Sequence, residues 1–138
     1  MRWTGIAQRG MEIATHYAAH RQAFGQQLVE HQSIQWMLAD SATEIHAGRL
    51  MIQYAAYLLA QGERASTETS MAKIHVAETV GKVLDRAIQI CGGMGISKDL
   101  PLGTWFAEAR AFRIYDGPSE VHRMVIARRI IRNFGSHA

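Results

Sequence analysis

One carboxylate stands where a chain break could present it to a substrate. Asp116 lies in the run Arg113-Ile114-Tyr115-Asp116-Gly117-Pro118-Ser119-Glu120-Val121-His122, between two helix-like segments. A Gly-Pro break turns the carboxylate toward a junction rather than along a helix surface, so it can act as a proton acceptor. The same residues also suit an ordinary helix N-cap, because Asp before a turn accepts backbone N–H groups. Both readings stand at this point. A second group that could meet a ligand is Gln89-Ile90-Cys91-Gly92-Gly93-Met94-Gly95. One glycine after a helix is a common C-cap, but three in four positions let backbone approach another chain or a flat, phosphate-bearing ligand. It is not a dinucleotide fingerprint, since it ends a helix and no strand precedes it.

Other chemistries fail on spacing. The chain has seven histidines, yet a di-iron bundle needs inward Glu-x-x-His pairs, and only Glu44-x-His46 and the reversed His75-x-x-Glu78 are present. His-Glu-x-x-His is absent too, so no metal site is expected. Ser119 and Cys91 lack a recognisable base partner and do not read as nucleophiles. Cys91 is the single cysteine, which rules out an intramolecular disulfide and points to a small core residue. The net charge of +3 and isoelectric point near 9.4 raise nucleic-acid binding. The one dense basic group, however, is Arg123, Arg128, Arg129 and Arg132 in the last helix, where cations near a C-terminus complement the helix dipole and solvate an outer face. Without helix-turn-helix spacing or aromatic stacking motifs, no nucleic-acid partner is expected.

The elements that must hold these groups are helices. With 138 residues, 48% of them hydrophobic, the chain suits one core and one domain. Two prolines and abundant Ala, Met, Leu and Ile favour helix, and no segment alternates long enough for a sheet. Ile6, Gly10, Ile13, Ala14 and Tyr17 mark a helix from about Trp3 to His20. Phe24-Gly25 then forms a turn too apolar for a simple solvated loop. Ile34, Leu38, Ser41, Ile45, Ile52, Ala55 and Leu59 mark a second helix from about Glu30 to Ala60, roughly 45 Å long at 1.5 Å per residue. Ser66 or Thr67 is positioned to cap a third helix, with Met71, Ile74, Leu84, Ala87, Ile88 and Cys91 along its stripe. A short helix over Leu102 to Ile114 follows. Ser119 is positioned to cap the last, which runs to about Asn133 with Val121, Val125 and Ile131 facing inward. The expected fold is all-α, an up-and-down four-helix bundle with an extra short helix. No apolar run approaches the roughly 20 residues of a membrane span, and the start lacks the apolar core of a signal peptide. A soluble, cytoplasmic protein is expected.

Taken together, Arg21-Gln22-Ala23-Phe24-Gly25 followed by Glu30-His31-Gln32, the Gln89 to Gly95 run, and Tyr115-Asp116-Gly117 before the last helix resemble the C-terminal helical domain of the FAD-dependent acyl-CoA dehydrogenases. The resemblance runs from about Gly5 to Asn133, and the interval from Gln89 to Asp116, 116 − 89 = 27, is the family's own. It implies that Asp116 takes the place of the catalytic Glu, removing the α proton of an acyl-CoA thioester while the β hydrogen leaves as hydride to FAD, giving a trans-2-enoyl-CoA. Arg21 and Phe24 match positions that contact the adenine and pyrophosphate of FAD held mainly by a neighbouring subunit. Leu28, His31 and Ile34 match further flavin-adjacent positions, and Gln89 and Gly93 match those that meet the adenosine of that same neighbouring FAD. Ser119 and Glu120 match residues near the chain's own cofactor, although Pro118 and Glu120 depart from the commoner Thr and Gln. A subgroup with Asp-Gly-Pro and a following Glu-Val-His looks nearest.

The resemblance also implies that the N-terminal helical and middle β-domains are absent from residues 1–138, leaving an incomplete enzyme. Its implied partners are an acyl-CoA substrate, further copies in a homo-oligomer, a separate chain carrying the missing domains, and electron-transfer flavoprotein as acceptor. A non-catalytic helical oligomerisation module with a vestigial flavin site is the alternative.

Overall fold

A computed structural model describes residues 1–135. The chain folds as helix α1 (Arg2–His20), a minimal hairpin of β1 (Gln22–Ala23) and β2 (Gln26–Gln27), a 3-10 turn (Leu28–Glu30), α2 (Gln32–Ala60), α3 (Ser66–Cys91), the single turn α4 (Gly93–Ile96), α5 (Leu102–Phe112) and α6 (Ser119–Gly135). It is the expected all-α bundle, with helix bounds close to those read from periodicity. The hairpin is an addition. Its two residue pairs, Gln22 with Gln27 and Ala23 with Gln26, are too short to leave an alternating pattern.

α3 is the centre of the bundle. Ala72, Val76, Val80, Val83, Leu84, Ala87 and Ile90 are all buried along it, and every other long helix packs on some part of it. Small residues at Ala7, Gly10, Ala14 and Ala18 let α1 lie close against α3. A Cβ at Gly10 would stand 2.8 Å from Leu84 Cδ2, so the contact excludes a larger residue unless Leu84 moves. Leu84 is fully buried, and full burial of a leucine side chain is worth about 1.5–3 kcal/mol, to which its contact with Gly10 contributes a part.

The register of these contacts sets direction. Trp3 stacks on Phe112, whose carbonyl accepts from Lys73, while Gly10 faces Leu84, so α1 and α3 run the same way. α2 runs against α3, with Gly48 on Val76 and the Glu44 carboxylate paired to Arg86 at 2.8 Å. α5 returns along α3 from Leu102, beside Gly10, to Phe112.

Two expectations about helix edges are corrected. The N-cap of α3 is Ala65, in left-handed backbone (φ 42°), and neither Ser66 nor Thr67 caps it with a side-chain bond. Both residues fall inside the helix, where their hydroxyls can no longer reach the first free N–H groups. In α6 the three apolar residues expected to face inward do not. Val121, Val125 and Ile131 are exposed, the last by 70%, and Ser119 alone of that helix is fully buried. The pattern marks an apolar face, but no described element covers it. Met71 and Leu59 are likewise exposed members of their stripes.

Gly95 and Gly93 differ in a way that stability can report. A Cβ at Gly95 would sit 2.6 Å from the Ile88 carbonyl oxygen, whereas one at Gly93 meets nothing within 4 Å. Gly95→Ala is expected to cost about 1–3 kcal/mol in urea denaturation through overpacking. Gly93→Ala should stay within about 0.5 kcal/mol of wild type; equal losses would refute the packing account.

Burial pushes the Cys91 thiol up from 9.0 to about 11. Below pH 9 the thiol is protonated whether the chain is folded or not, so it adds no pH dependence. Between about pH 9 and 11 only the unfolded chain ionises, and stability falls through that window. The stability difference between wild type and Cys91→Ala should therefore shrink as pH rises from 9 to 11, measured by urea melts at each pH; a constant difference would contradict it.

Candidate active site

The turn between α5 and α6 carries Asp116. Asp116 and Gly117 have φ of 54° and 89°, two left-handed residues in succession. Asp enters that region more readily than most residues. Gly117 is required twice over, by its φ and because a Cβ there would lie 2.7 Å from His122 Nε2. Three helices hold the turn. Trp3 of α1 donates its indole N–H to the Tyr115 hydroxyl at 2.9 Å. Lys73 of α3 donates to the Phe112 carbonyl and lies 4.3 Å from the centre of its ring. His122 of α6 has Nε2 3.2 Å from the Asp116 carbonyl oxygen and Nδ1 3.1 Å from the Ser70 hydroxyl.

The Asp116 carboxylate itself is exposed and makes no hydrogen bond or ion pair among the described residues. It caps nothing, so the N-cap reading is not what the fold builds. The first bonds of α6 instead reach the Pro118 carbonyl, from Val121 at 2.9 Å and His122 at 3.2 Å. Ser119 does not cap α6 either. Its backbone N–H donates to the Arg113 carbonyl, while its hydroxyl is enclosed and without a partner among the described residues. The reason is position: the proline takes the capping place and leaves Ser119 as the first helical residue. Glu120 is exposed, with its carboxylate 3.9 Å from Arg123. Lys73 is a shifted group at this junction. Desolvation pulls its ammonium below the ordinary lysine range, and the Asp116 charge works in the opposite sense.

The remaining candidates gather at the other end of the bundle. Phe24 and Gly25 form the hairpin tip with φ of 54° and 83°, both left-handed as a two-residue type I′ turn requires. A bulky residue rarely accepts that conformation, and Phe24 does so while 95% exposed. His31 braces the tip. Its Nε2–H donates to the Ala23 carbonyl at 3.2 Å, its Nδ1 accepts from the Gln26 amide at 3.1 Å, and its ring meets Phe24 edge-on at 6.2 Å. These partners select the Nε2–H tautomer. The side chains of Gln27 and Glu30 exchange bonds with each other's backbone across the 3-10 turn. Leu28 and Ile34 pack on the core, and Arg21 is exposed beside the hairpin, its carbonyl accepting from Leu28.

Antiparallel α2 and α3 bring the start of α2 opposite the end of α3, where Gln89 and Gly93 are exposed. Arg21, Phe24, Leu28, His31, Ile34, Gln89 and Gly93 thus share one end. Asp116, Ser119 and Glu120 occupy the opposite one. The separation along α1 from Trp3 to Arg21 is roughly 27 Å at 1.5 Å per residue. An exposed guanidinium, an exposed ring, glutamine amides and open glycine backbone suit a ligand with anionic groups and a flat ring. A carboxylate free of bonds among the described residues, on the turn that follows Tyr115, suits proton abstraction from a carbon acid laid over it.

Sequence reasoning did not assign roles to Trp3, Ser70, Lys73 or His122. Lys73 left a trace, a cation next to the apolar stripe position Ile74, and His122 stood inside the motif that drew attention to Asp116. A cleft of about 510 Å³ is lined by Glu78, Lys82, Asp85, Phe106, Arg113 and Arg123, and Asp116 is not among its lining residues. Among the described residues no cluster of three or more His, Cys, Asp or Glu could hold a metal, and no helix is long and apolar enough to cross a membrane.

The model of the acyl-CoA dehydrogenase C-terminal domain matches residues 1–131. The mitochondrial short-chain specific acyl-CoA dehydrogenase of Rattus norvegicus is 39% identical over 132 residues, covering 96% of this chain and 32% of that protein. An acryloyl-CoA reductase (NADH) of Anaerotignum propionicum is 38% identical over 128 residues, covering 93% of this chain and 32% of the relative. The structure of a putative acyl-CoA dehydrogenase from Mycobacterium abscessus superposes with a TM-score of 0.94 at 38% identity, over 97% of this chain and 33% of that one. The chain therefore spans about a third of the length of the relatives it matches.

Proposed function

The chain belongs to the acyl-CoA dehydrogenase family, and we propose that it serves as the C-terminal domain of an enzyme that removes hydrogen from the α and β carbons of an acyl-CoA thioester to give the trans-2-enoyl-CoA. The observation that carries this reading is the uncommitted Asp116 carboxylate, fixed on a left-handed turn by α1, α3 and α6. A capping or structural carboxylate would be bonded; this one is left free. Its role is to take the α proton. A substrate lying over the turn, against the partly exposed Tyr115 ring, would exclude water from around it. The Asp stands where the family resemblance places a Glu, so the shorter side chain brings the α carbon nearer the backbone.

FAD is the proposed cofactor, and when bound it supplies an acceptor for the hydride that leaves the β carbon. Arg21 offers a planar fork to its pyrophosphate, and the Phe24 ring offers a face or edge to the adenine. His31 keeps the hairpin in shape for both, over a base formed by Leu28 and Ile34, while Gln89 and Gly93 border the adenosine. These residues lie too far from Asp116 to serve the same flavin ring, which supports their reaching a cofactor in a neighbouring copy. Glu120 is free to meet the cofactor on the Asp116 side, and enclosed Ser119 shapes the backbone there. The whole enzyme requires the N-terminal helical and middle β-domains, in the same polypeptide or in a separate chain. Electron-transfer flavoprotein is the proposed electron acceptor. The exposed apolar faces of α2 and α6 support a homo-oligomer. A lone, buried cysteine needs no oxidising compartment, in keeping with a cytoplasmic setting.

Asp116→Asn in the complete, FAD-loaded enzyme is expected to abolish flavin reduction by acyl-CoA while leaving acyl-CoA binding intact, because the amide keeps the shape but cannot accept a proton. Stopped-flow bleaching of the oxidised flavin band decides it; bleaching at the wild-type rate would move the base elsewhere.

Arg21→Ala removes a charge-assisted bond worth about 1.5–3 kcal/mol, so FAD affinity should fall roughly 10- to 100-fold with helix content unchanged. Equilibrium flavin titration measures this. Unaltered affinity would make Arg21 an ordinary surface charge.

A further inference from the structure

The Asp116 carboxylate has no bonded partner among the described residues, so its direction is inherited from its backbone. That backbone is in a conformation most residues avoid, and Gly117 extends it for a second residue. Something must hold the pair there. Among the described residues, the one side chain bonded to the Asp116 backbone is His122, which reaches back over six residues to the Asp116 carbonyl. Its other ring nitrogen meets the hydroxyl of Ser70, a buried residue on α3 one helical turn before Lys73. Gly117 leaves the space the ring needs, since a Cβ would fall 2.7 Å from Nε2.

Resting on the reading of Asp116 as the base, we propose that His122 is a positioning residue that aims the carboxylate through the backbone. Its Nε2–H donates to the Asp116 carbonyl, and its Nδ1 accepts the Ser70 hydroxyl proton. Ser70 thereby fixes the tautomer, and α3 becomes the anchor for the direction of the base. Lys73 acts on the same helix face but on the other side of the turn, holding the Phe112 carbonyl at the end of α5. The base is thus located by two bonds to main-chain oxygens, which leaves both carboxylate oxygens free for the substrate.

The test uses the complete FAD-loaded enzyme containing this domain. His122→Leu removes both bonds at similar volume, and since small misplacements cost about 100-fold, flavin reduction should slow by about 10- to 100-fold. Acyl-CoA affinity should change by less than about three-fold, because the loss is one of alignment and not of binding. His122→Gln can still donate to the carbonyl and should recover most of the rate. Ser70→Ala should lower the rate more mildly, and long-range ¹H–¹⁵N spectra of the imidazole should show the Nε2–H tautomer in wild type and a mixture in Ser70→Ala. If His122→Leu does not fold, the Gln variant and the tautomer spectra carry the test: a wild-type Nδ1–H tautomer, or no change of rate or tautomer in Ser70→Ala, overturns the proposal. A wild-type rate in His122→Leu, with Asp116→Asn inert, overturns the positioning role alone. An active Asp116→Asn instead overturns the reading of the base on which it rests.

Discussion

Everything in this bundle is referred to α3. The helix is buried along most of its length, and α1 lies against it closely enough that Gly10 meets Leu84 with no room for a Cβ. Because α1 and α3 run in the same direction, their first turns meet at one end and their last turns at the other. The two sets of candidate residues are attached to those ends: Ser70 and Lys73 serve the Asp116 turn, and Gln89 and Gly93 continue from the far end of the same helix. A shift of α3 along its axis would move both at once. Close packing at Gly10 and Gly95, together with the Glu44–Arg86 pair to α2, opposes that shift.

The two ends solve similar problems with similar parts. At each, a pair of left-handed residues ending in glycine, Phe24-Gly25 or Asp116-Gly117, points a side chain away from the fold. At each, a histidine a few residues on donates back to a main-chain oxygen, His31 to Ala23 and His122 to Asp116. The projecting group is a hydrophobic ring at one end and a carboxylate at the other. A side chain with no internal partner can be aimed only by its backbone, so the conformational strain and the histidine brace belong together.

Much of this was legible in the sequence because it follows from periodicity. The bounds of α1, α2, α3 and α5 fell within a residue or two of the apolar patterns, and Gly25 was identifiable as a turn residue. What failed did so for physical reasons. Ser66, Thr67 and Ser119 looked like caps because sequence alone cannot say on which side of a helix boundary a hydroxyl falls. Val121, Val125 and Ile131 looked like core because an apolar stripe records that a surface is meant to be covered, not by what. Of the site, Asp116, Phe24 and Gly93 stood out through their neighbours in sequence. Trp3, Ser70 and Lys73 did not, since their part depends on contacts across 39 to 112 residues of chain.

The exposed flank of α6 ties local order to whatever covers it. Past Ser119 the helix keeps no fully buried residue, and Ile131 and Phe134 stand 70% and 81% open. Such an element sits at the low end of the local stability scale, where opening precedes global unfolding and amide exchange is fast. His122 belongs to its first turn, so fraying that spread inward from the C-terminal end would release the Asp116 carbonyl. Anything that binds the apolar flank of α6 draws free energy from that contact and, by linkage, lowers the population of opened first turns. Binding at that flank and the ordering of the carboxylate are then two readings of one equilibrium, coupled through a single helix without any contact between the covered surface and Asp116.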